Sequence, residues 1–131
     1  MGKVEPLLML CYNNCSTCKK AKKFLEDNHV PFVTRDIKDM NPTVEELVCW
    51  IEKSGLESKK FFNTSGQLYR DEGISKKLKE KTLKEDEIIA ILSSNGMLVK
   101  RPLLILPNAV LVGFKVDEWT DRLQSDGFSL S

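Results

Sequence analysis

Three cysteines fall within eight positions near the start of the chain: Cys11, Cys15 and Cys18, in the segment CYNNCSTCKKAKKFL. Sulfur at this density suits a metal site, a disulfide staple or a working thiol pair. A zinc site needs four ligands. Only Cys49 and His29 could join, at no recognised spacing, so no metal is expected. A phosphatase-type loop needs an arginine six residues after its cysteine. Thr17, Ala21 and Phe24 stand at those places, which removes that mechanism. A purely structural Cys-x-x-Cys remains as the alternative to a redox pair.

Position favours the redox pair. Leu7 to Cys11 is a continuous apolar run, as in a strand covered on both faces. A helix should begin straight after Cys15, because Cys18, Ala21 and Leu25 recur at helical spacing while Lys19, Lys20, Lys22, Lys23 and Glu26 occupy other faces. Cys15 then stands at the N-cap. Its sulfur can accept from the amides of Thr17 or Cys18, and the helix dipole favours thiolate there, below the free value of about 8.5. Cys18 lies one turn inside, with its Cα about 5–6 Å from that of Cys15, within disulfide range. Cys15 is therefore expected to attack and Cys18 to resolve, in thiol–disulfide exchange or in reduction of a small oxidant followed by disulfide closure.

The elements that must hold this pair can be read onward. Asn28 and Pro31 end the first helix, and Pro31 to Asp36 reads as a second strand, parallel to the first. Thr43 and Glu46 form a capping box before the stripe Val44, Leu47, Val48 and Ile51, which Gly55 ends. Thr82 and Glu85 repeat the box before Ile88, Ile91 and Leu92, with Asn95-Gly96 as the stop. Asn63-Thr64-Ser65-Gly66 reads as a loop leading into short helices up to Lys81. Leu103–Leu106 and Val110–Phe114 flank Pro107-Asn108-Ala109 as a hairpin. A last amphipathic helix turns Trp119 and Leu123 inward. The order implies an α/β, thioredoxin-like three-layer fold: a small mixed sheet, with a helical insert at about 43–96, in a single domain over 1–131.

The totals suit a globular protein. The chain has 131 residues, 41% apolar and 30% charged, with 20 Lys and Arg against 19 Asp and Glu, a net charge of +1. No global field calls for direct nucleic-acid or membrane binding. Leu7–Cys11, the longest apolar run near the start, is too short for a signal segment or a membrane span, so a cytoplasmic location with reduced thiols is expected. Cys11 and Cys49 read as small core residues, and His29 as a polar residue at the C-terminal end of the first helix. The lysines at 19–23 read as a solvated face, with a mild electropositive surround for Cys15 as the functional alternative.

The segments CSTCKKA, PFVTRDI, NPTVEEL, SGLESKKFFNTSG and LVKRPLLI followed by VLVGF resemble the ArsC/Spx family of arsenate reductase-like proteins and redox regulators. The likeness spans roughly residues 7–123. It implies a thioredoxin-like fold, a cis peptide at Arg101-Pro102, and an oxyanion-binding role for Arg101. The amides of the turn carrying Ser16 and Thr17 would complete an anion cradle beside Pro102. It also implies no resident cofactor and an external thiol reductant such as glutathione, glutaredoxin or thioredoxin.

Family arsenate reductases set three arginines around one nucleophilic cysteine. Here Asn63 stands at the place of one, and Phe114 or Lys115 at the place of another. Losing two guanidinium partners removes charge-assisted hydrogen bonds of roughly 1.5–3 kcal/mol each. The second thiol, Cys18, is similar instead to the Cys-x-x-Cys switch of Spx-type regulators, which bind the RNA polymerase α subunit. The chain ends at Gly127 to Ser131, without the longer basic tail of typical Spx proteins. The expected function is thus a thiol–disulfide oxidoreductase acting on a small oxyanion or disulfide. The alternatives are an Spx-like regulator partnered with the RNA polymerase α C-terminal domain and an arsenate reductase.

Overall fold

A computed structural model describes residues 6–130. β1 (Leu7–Cys11), α1 (Ser16–Asp27) and β2 (Phe32–Asp36) form the expected strand–helix–strand unit, with β1 and β2 parallel and Leu7 opposite Phe32. Helices α2 (Val44–Ser54), α3 (Gln67–Asp71), α4 (Ile74–Lys79) and α5 (Glu85–Ser94) follow, with 3₁₀ turns at Ser58–Phe61 and Gly96–Leu98. The hairpin β3 (Leu103–Ile105) and β4 (Val110–Val112) then leads into α6 (Val116–Ser125). The sheet order is β2-β1-β3-β4, with β3 antiparallel to both of its neighbours.

Strand alternation divides the core into two halves, because successive side chains point to opposite faces. Leu7, Met9, Cys11, Leu104 and Leu111 face α1 and α6, packing with Cys18, Ala21, Leu25, Trp119 and Leu123. Leu10, Leu103 and Val110 face the helices between β2 and β3, against Leu47, Trp50, Phe61, Ile74 and Leu92. The layers are therefore helix, sheet, helix, as in a thioredoxin-like fold. Truncating a fully buried residue at the centre, such as Leu10, should cost about 2–5 kcal/mol.

Several local expectations change. The first capping box forms as read: Thr43 Oγ1 accepts from the Glu46 amide at 3.1 Å, and Glu46 accepts from the Thr43 amide at 3.0 Å. Val44 and Val48 are exposed, however, and α2 buries Leu47 and Trp50 with Ile51 half-buried. The second box shifts by two residues. The Glu87 carboxylate accepts from the Lys84 amide at 3.0 Å, while the Thr82 hydroxyl donates to the Lys77 carbonyl at 3.0 Å and closes α4 instead. The buried face of α5 is Ile88, Ile89 and Leu92. Cys49 is exposed, so it is not a core residue.

Gly55 adopts a left-handed φ of 70° just after α2, the role expected of it. Gly96 serves a different purpose from a simple stop. A Cβ there would collide with the Ile37 carbonyl, so only glycine lets these two backbones meet. Asn41 adds to this junction: its side-chain amide donates to the Ser93 carbonyl.

Candidate functional site

The chain leaves β1 through a tight turn at Asn13 and Asn14, where the Cys15 amide donates to the Tyr12 carbonyl at 3.0 Å. α1 begins at once, and Cys15 is its N-cap, with extended backbone. The turn sets Cys15, half-buried, at the C-terminal end of the sheet, while Cys18 is buried one turn inside. The Cys18 sulfur accepts from the Tyr12 amide at 3.4 Å. All four cysteines are free thiols.

The expected cap is only partly realised. The Cys15 sulfur makes no capping hydrogen bond to the first-turn amides of α1. Those amides still act electrostatically. Partial burial pushes the Cys15 thiol up, but the Cys18 amide and thiol, the Arg101 charge and the Thr17 amide outweigh it and hold Cys15 below the ordinary thiol value. α1 carries no acidic residue in its first turn, so nothing neutralises this positive end.

Cys18 moves the other way. Its hydrogen bond to Cys11 and its burial raise it strongly, and the Cys15 thiol and charge add to this against the Tyr12 amide. Cys11 sits beneath the pair at the end of β1, 4% exposed. The Cys18 thiol hydrogen-bonds to it and lowers it to about 7, against burial and Asp36 and with help from Lys22. The core placement of Cys11 is as expected from the sequence; its contact with Cys18 is not. Of the lysines at 19–23, Lys22 acts on Cys11, whereas the charge felt by Cys15 belongs to Arg101.

A hollow of about 350 Å³ opens over Cys15. Thr17 from α1, Asn63 and Ser65 from the insert, Lys100 and Arg101 before β3, and Phe114 and Lys115 after β4 line it. Backbone bonds bring the insert there: Asn63 donates to the Leu98 carbonyl at 2.8 Å, and Lys100 to the Phe61 carbonyl at 2.7 Å. Arg101-Pro102 is a cis peptide. One Arg101 terminal nitrogen donates weakly to the carbonyls of Met97 and Val99, at 3.4 and 3.3 Å. Its Nε is buried without a hydrogen-bond partner, and its guanidinium lies over the Tyr12 ring.

The fold thus brings together Cys15, Cys18, Thr17 and Arg101. Ser16 is exposed at the first helical position and Pro102 is buried; neither lines the hollow. Lys100 and Ser65 are lining residues that the sequence reading missed. Lys100 could have been suspected from its place next to Arg101. His29, exposed in a left-handed turn, lies at the far end of α1. A larger hollow of about 700 Å³ occupies the opposite end of the strands, near Leu7, Pro107 and Phe128, but no thiol lines it. Among the described residues no helix is long and apolar enough to cross a membrane.

Known proteins resemble this chain in sequence and in fold. The uncharacterised protein YusI of Bacillus subtilis is 46% identical over 111 residues, covering 85% of this chain and 92% of its own. A crystal structure of an ArsC family related protein from Bacteroides fragilis superposes with a TM-score of 0.86 at 52% identity, covering 91% of this chain and 98% of that one. The global transcriptional regulator Spx 1 of Bacillus cereus is 23% identical over 105 residues, 80% of this chain and 77% of that protein. These relatives support a thiol-dependent role, either oxidoreductase-like or Spx-like. The ArsC family model matches residues 10–121, which takes in the end of β1, the cysteine turn, the insert and Arg101, and the chain belongs to the ArsC family.

Proposed function

We propose that this protein is a thiol–disulfide oxidoreductase in which Cys15 attacks, Cys18 resolves and Arg101 anchors an anionic group of the substrate. The observation that carries this reading is the opposed environment of two sulfurs one helical turn apart. Cys15 is half-exposed and held toward thiolate beside Arg101, while Cys18 is buried and held toward thiol. The first can attack a solvent-exposed substrate sulfur and form the mixed disulfide; the second waits behind it.

The steps balance. The Cys15 thiolate attacks one sulfur of R–S–S–R, and RS⁻ departs as the Cys15–S–S–R bond forms. Cys18, deprotonated, attacks Cys15 Sγ and expels the second RS⁻. The substrate gains two electrons and the protein keeps a Cys15–Cys18 disulfide, which an external thiol reduces. Lys100, Lys115 and Arg101 make the hollow cationic, which suits a carboxylate-bearing disulfide or a small oxyanion. Peptide mapping after stoichiometric oxidant should find Cys15 joined to Cys18. Its absence, with Cys15 alkylated no faster than a free thiol, would remove this reading.

Similarity to Spx favours a second reading, a redox-sensing regulator that binds the RNA polymerase α C-terminal domain. A pull-down with that domain in oxidised and reduced states tests it, and no binding in either state would sink it. Arsenate reduction is a narrower version of the first reading. Lys100 and Lys115 supply charge, but neither offers the bidentate fork of a guanidinium. Arsenate-dependent consumption of reductant that disappears in Arg101→Ala would establish it.

A further inference from the structure

The hollow over Cys15 has a neighbour. A second hollow, of about 320 Å³, is lined by Lys59, Lys60, Thr64 and Lys100 beside the buried rings of Phe62 and Tyr69. Lys100 lines both hollows. One segment of the insert also serves both: Asn63 and Ser65 line the first, Phe62 and Thr64 the second. An antiparallel bridge from Phe62 to Val99, and the Lys100 amide donating to the Phe61 carbonyl at 2.7 Å, tie this segment to the chain just before β3. Gly113 completes the junction. A Cβ there would stand 3.1 Å from Lys100 Cε, so the Lys100 stem lies across this glycine, which itself lines the first hollow.

The charge at this junction has one sign. Lys59, Lys60, Lys100, Arg101 and Lys115 line the two hollows, and no described Asp or Glu does. Lys59 Nζ lies 3.4 Å from Glu57 Oε2, but both side chains are more than half exposed, so this ion pair is weak and a stronger anion can displace it. The two hollows suit different anions. Arg101 offers a planar fork to a carboxylate or small oxyanion beside the Cys15 sulfur. The second hollow offers three ammonium groups and the Thr64 hydroxyl, point donors that suit a phosphate. No cysteine lines it, so a ligand that fills it carries its charge away from its reacting sulfur.

We propose that the preferred substrate is a small-molecule disulfide with a phosphate-bearing tail. Cys15 attacks its sulfur in the first hollow while the phosphates sit among Lys59, Lys60 and Lys100 in the second. The inference rests on the proposed exchange chemistry and names its substrate class. The reaction is unchanged: the substrate S–S bond breaks, the Cys15–Cys18 bond forms, and two electrons and two protons pass from the dithiol to the two departing thiols. The remote phosphates add binding that is the same before and during sulfur transfer, so they lower the concentration needed without altering the limiting rate.

The test compares coenzyme A disulfide with pantethine, which has the same thiol arm and no phosphate. The reduced protein carries Cys49→Ser, which removes the exposed thiol. Single turnovers quenched in acid are read as formation of the Cys15–Cys18 disulfide by mass. Half-saturation should come at a concentration at least about tenfold lower with coenzyme A disulfide, at a similar limiting rate. Lys59→Gln combined with Lys60→Gln should remove most of that advantage and leave pantethine unchanged, whereas Lys59→Arg with Lys60→Arg should keep it. Equal half-saturation for the two disulfides in the starting protein would overturn the proposal, as would an advantage that survives the double glutamine variant. Glutathione disulfide, whose anionic groups are carboxylates, should not respond to the two glutamines; an equal response would refute the phosphate assignment. Should the double variant not fold, the nucleotide fragment of coenzyme A, which carries the phosphates and no sulfur, decides. Competition against coenzyme A disulfide but not against pantethine supports the proposal, and no competition refutes it. Failure of both disulfides to oxidise the pair would remove the exchange reading itself, and this inference with it.

Discussion

Arg101 and Tyr12 meet face-on beneath the hollow, with the guanidinium carbon 5.4 Å from the ring centroid. Tyr12 immediately follows β1 and Arg101 shortly precedes β3, so this contact joins the cysteine turn to the basic side of the site. Its cation–π attraction is worth about 0.5–2 kcal/mol, and it aims the Arg101 charge toward Cys15.

Arg101→Ala should therefore slow alkylation of Cys15 at neutral pH. Arg101 lowers the Cys15 pKa, so its loss raises that pKa and shrinks the thiolate fraction. The pH profile of iodoacetamide reaction should shift upward, by several-fold in rate at pH 7. Tyr12→Leu should shift it in the same direction by less, because the guanidinium keeps its two carbonyl contacts. A profile that does not move in Arg101→Ala would mean that Arg101 does not act on the thiolate.

Cysteine accessibility offers a second check. In the folded protein, brief treatment with alkylator should modify Cys15 and Cys49 and spare Cys11 and Cys18, both buried. In denaturant all four should react. Cys18→Ser should leave the first attack intact and trap substrate on Cys15 as a stable mixed disulfide, visible by intact mass. Spontaneous release of that adduct without another thiol would contradict the resolving role.

The Arg35–Glu46 pair should make stability depend on acid. Arg35 donates to both Glu46 oxygens, at 2.7 and 2.9 Å, linking β2 to the start of α2, and its guanidinium also lies 5.9 Å from the Trp50 ring centroid. The Arg35 bond lowers the Glu46 pKa, against burial and with help from Thr43. A depressed carboxylate stabilises the fold above its unfolded value of about 4.3, and that contribution is lost as pH falls through the folded value. Glu46→Gln should cost about 1–2 kcal/mol at neutral pH by denaturant unfolding, and much less in acid, where the native carboxyl is protonated.

Gly96→Ala should be more damaging than its small volume suggests. The added methyl meets the Ile37 backbone carbonyl, which no rotamer can move aside. A loss of about 1–3 kcal/mol or more is expected in thermal or denaturant unfolding. Gly55→Ala, with open space around it, should show only the modest strain of a left-handed alanine.

Sequence alone determined what depends on neighbours along the chain. The run before Cys11, the spacing of Cys15 and Cys18, the box at Thr43 and Glu46, and the hairpin after Leu103 are local patterns of period two or 3.6, so the strand–thiol–helix junction was legible in advance. Contacts between distant segments were not. Val44 and Val48 fit a helical stripe, yet only packing decided that Leu47 and Trp50 would take the buried face. The insert's return to the sheet brought Asn63, Ser65 and Lys100 over Cys15, and no periodicity records that meeting. Cys11 shows the division most clearly. Its apolar run announced a buried strand, but the parity of β1 against the first turn of α1 put it in one buried cluster with Cys18. Packing acts through space, so the neighbours of this buried sulfur were settled by tertiary structure.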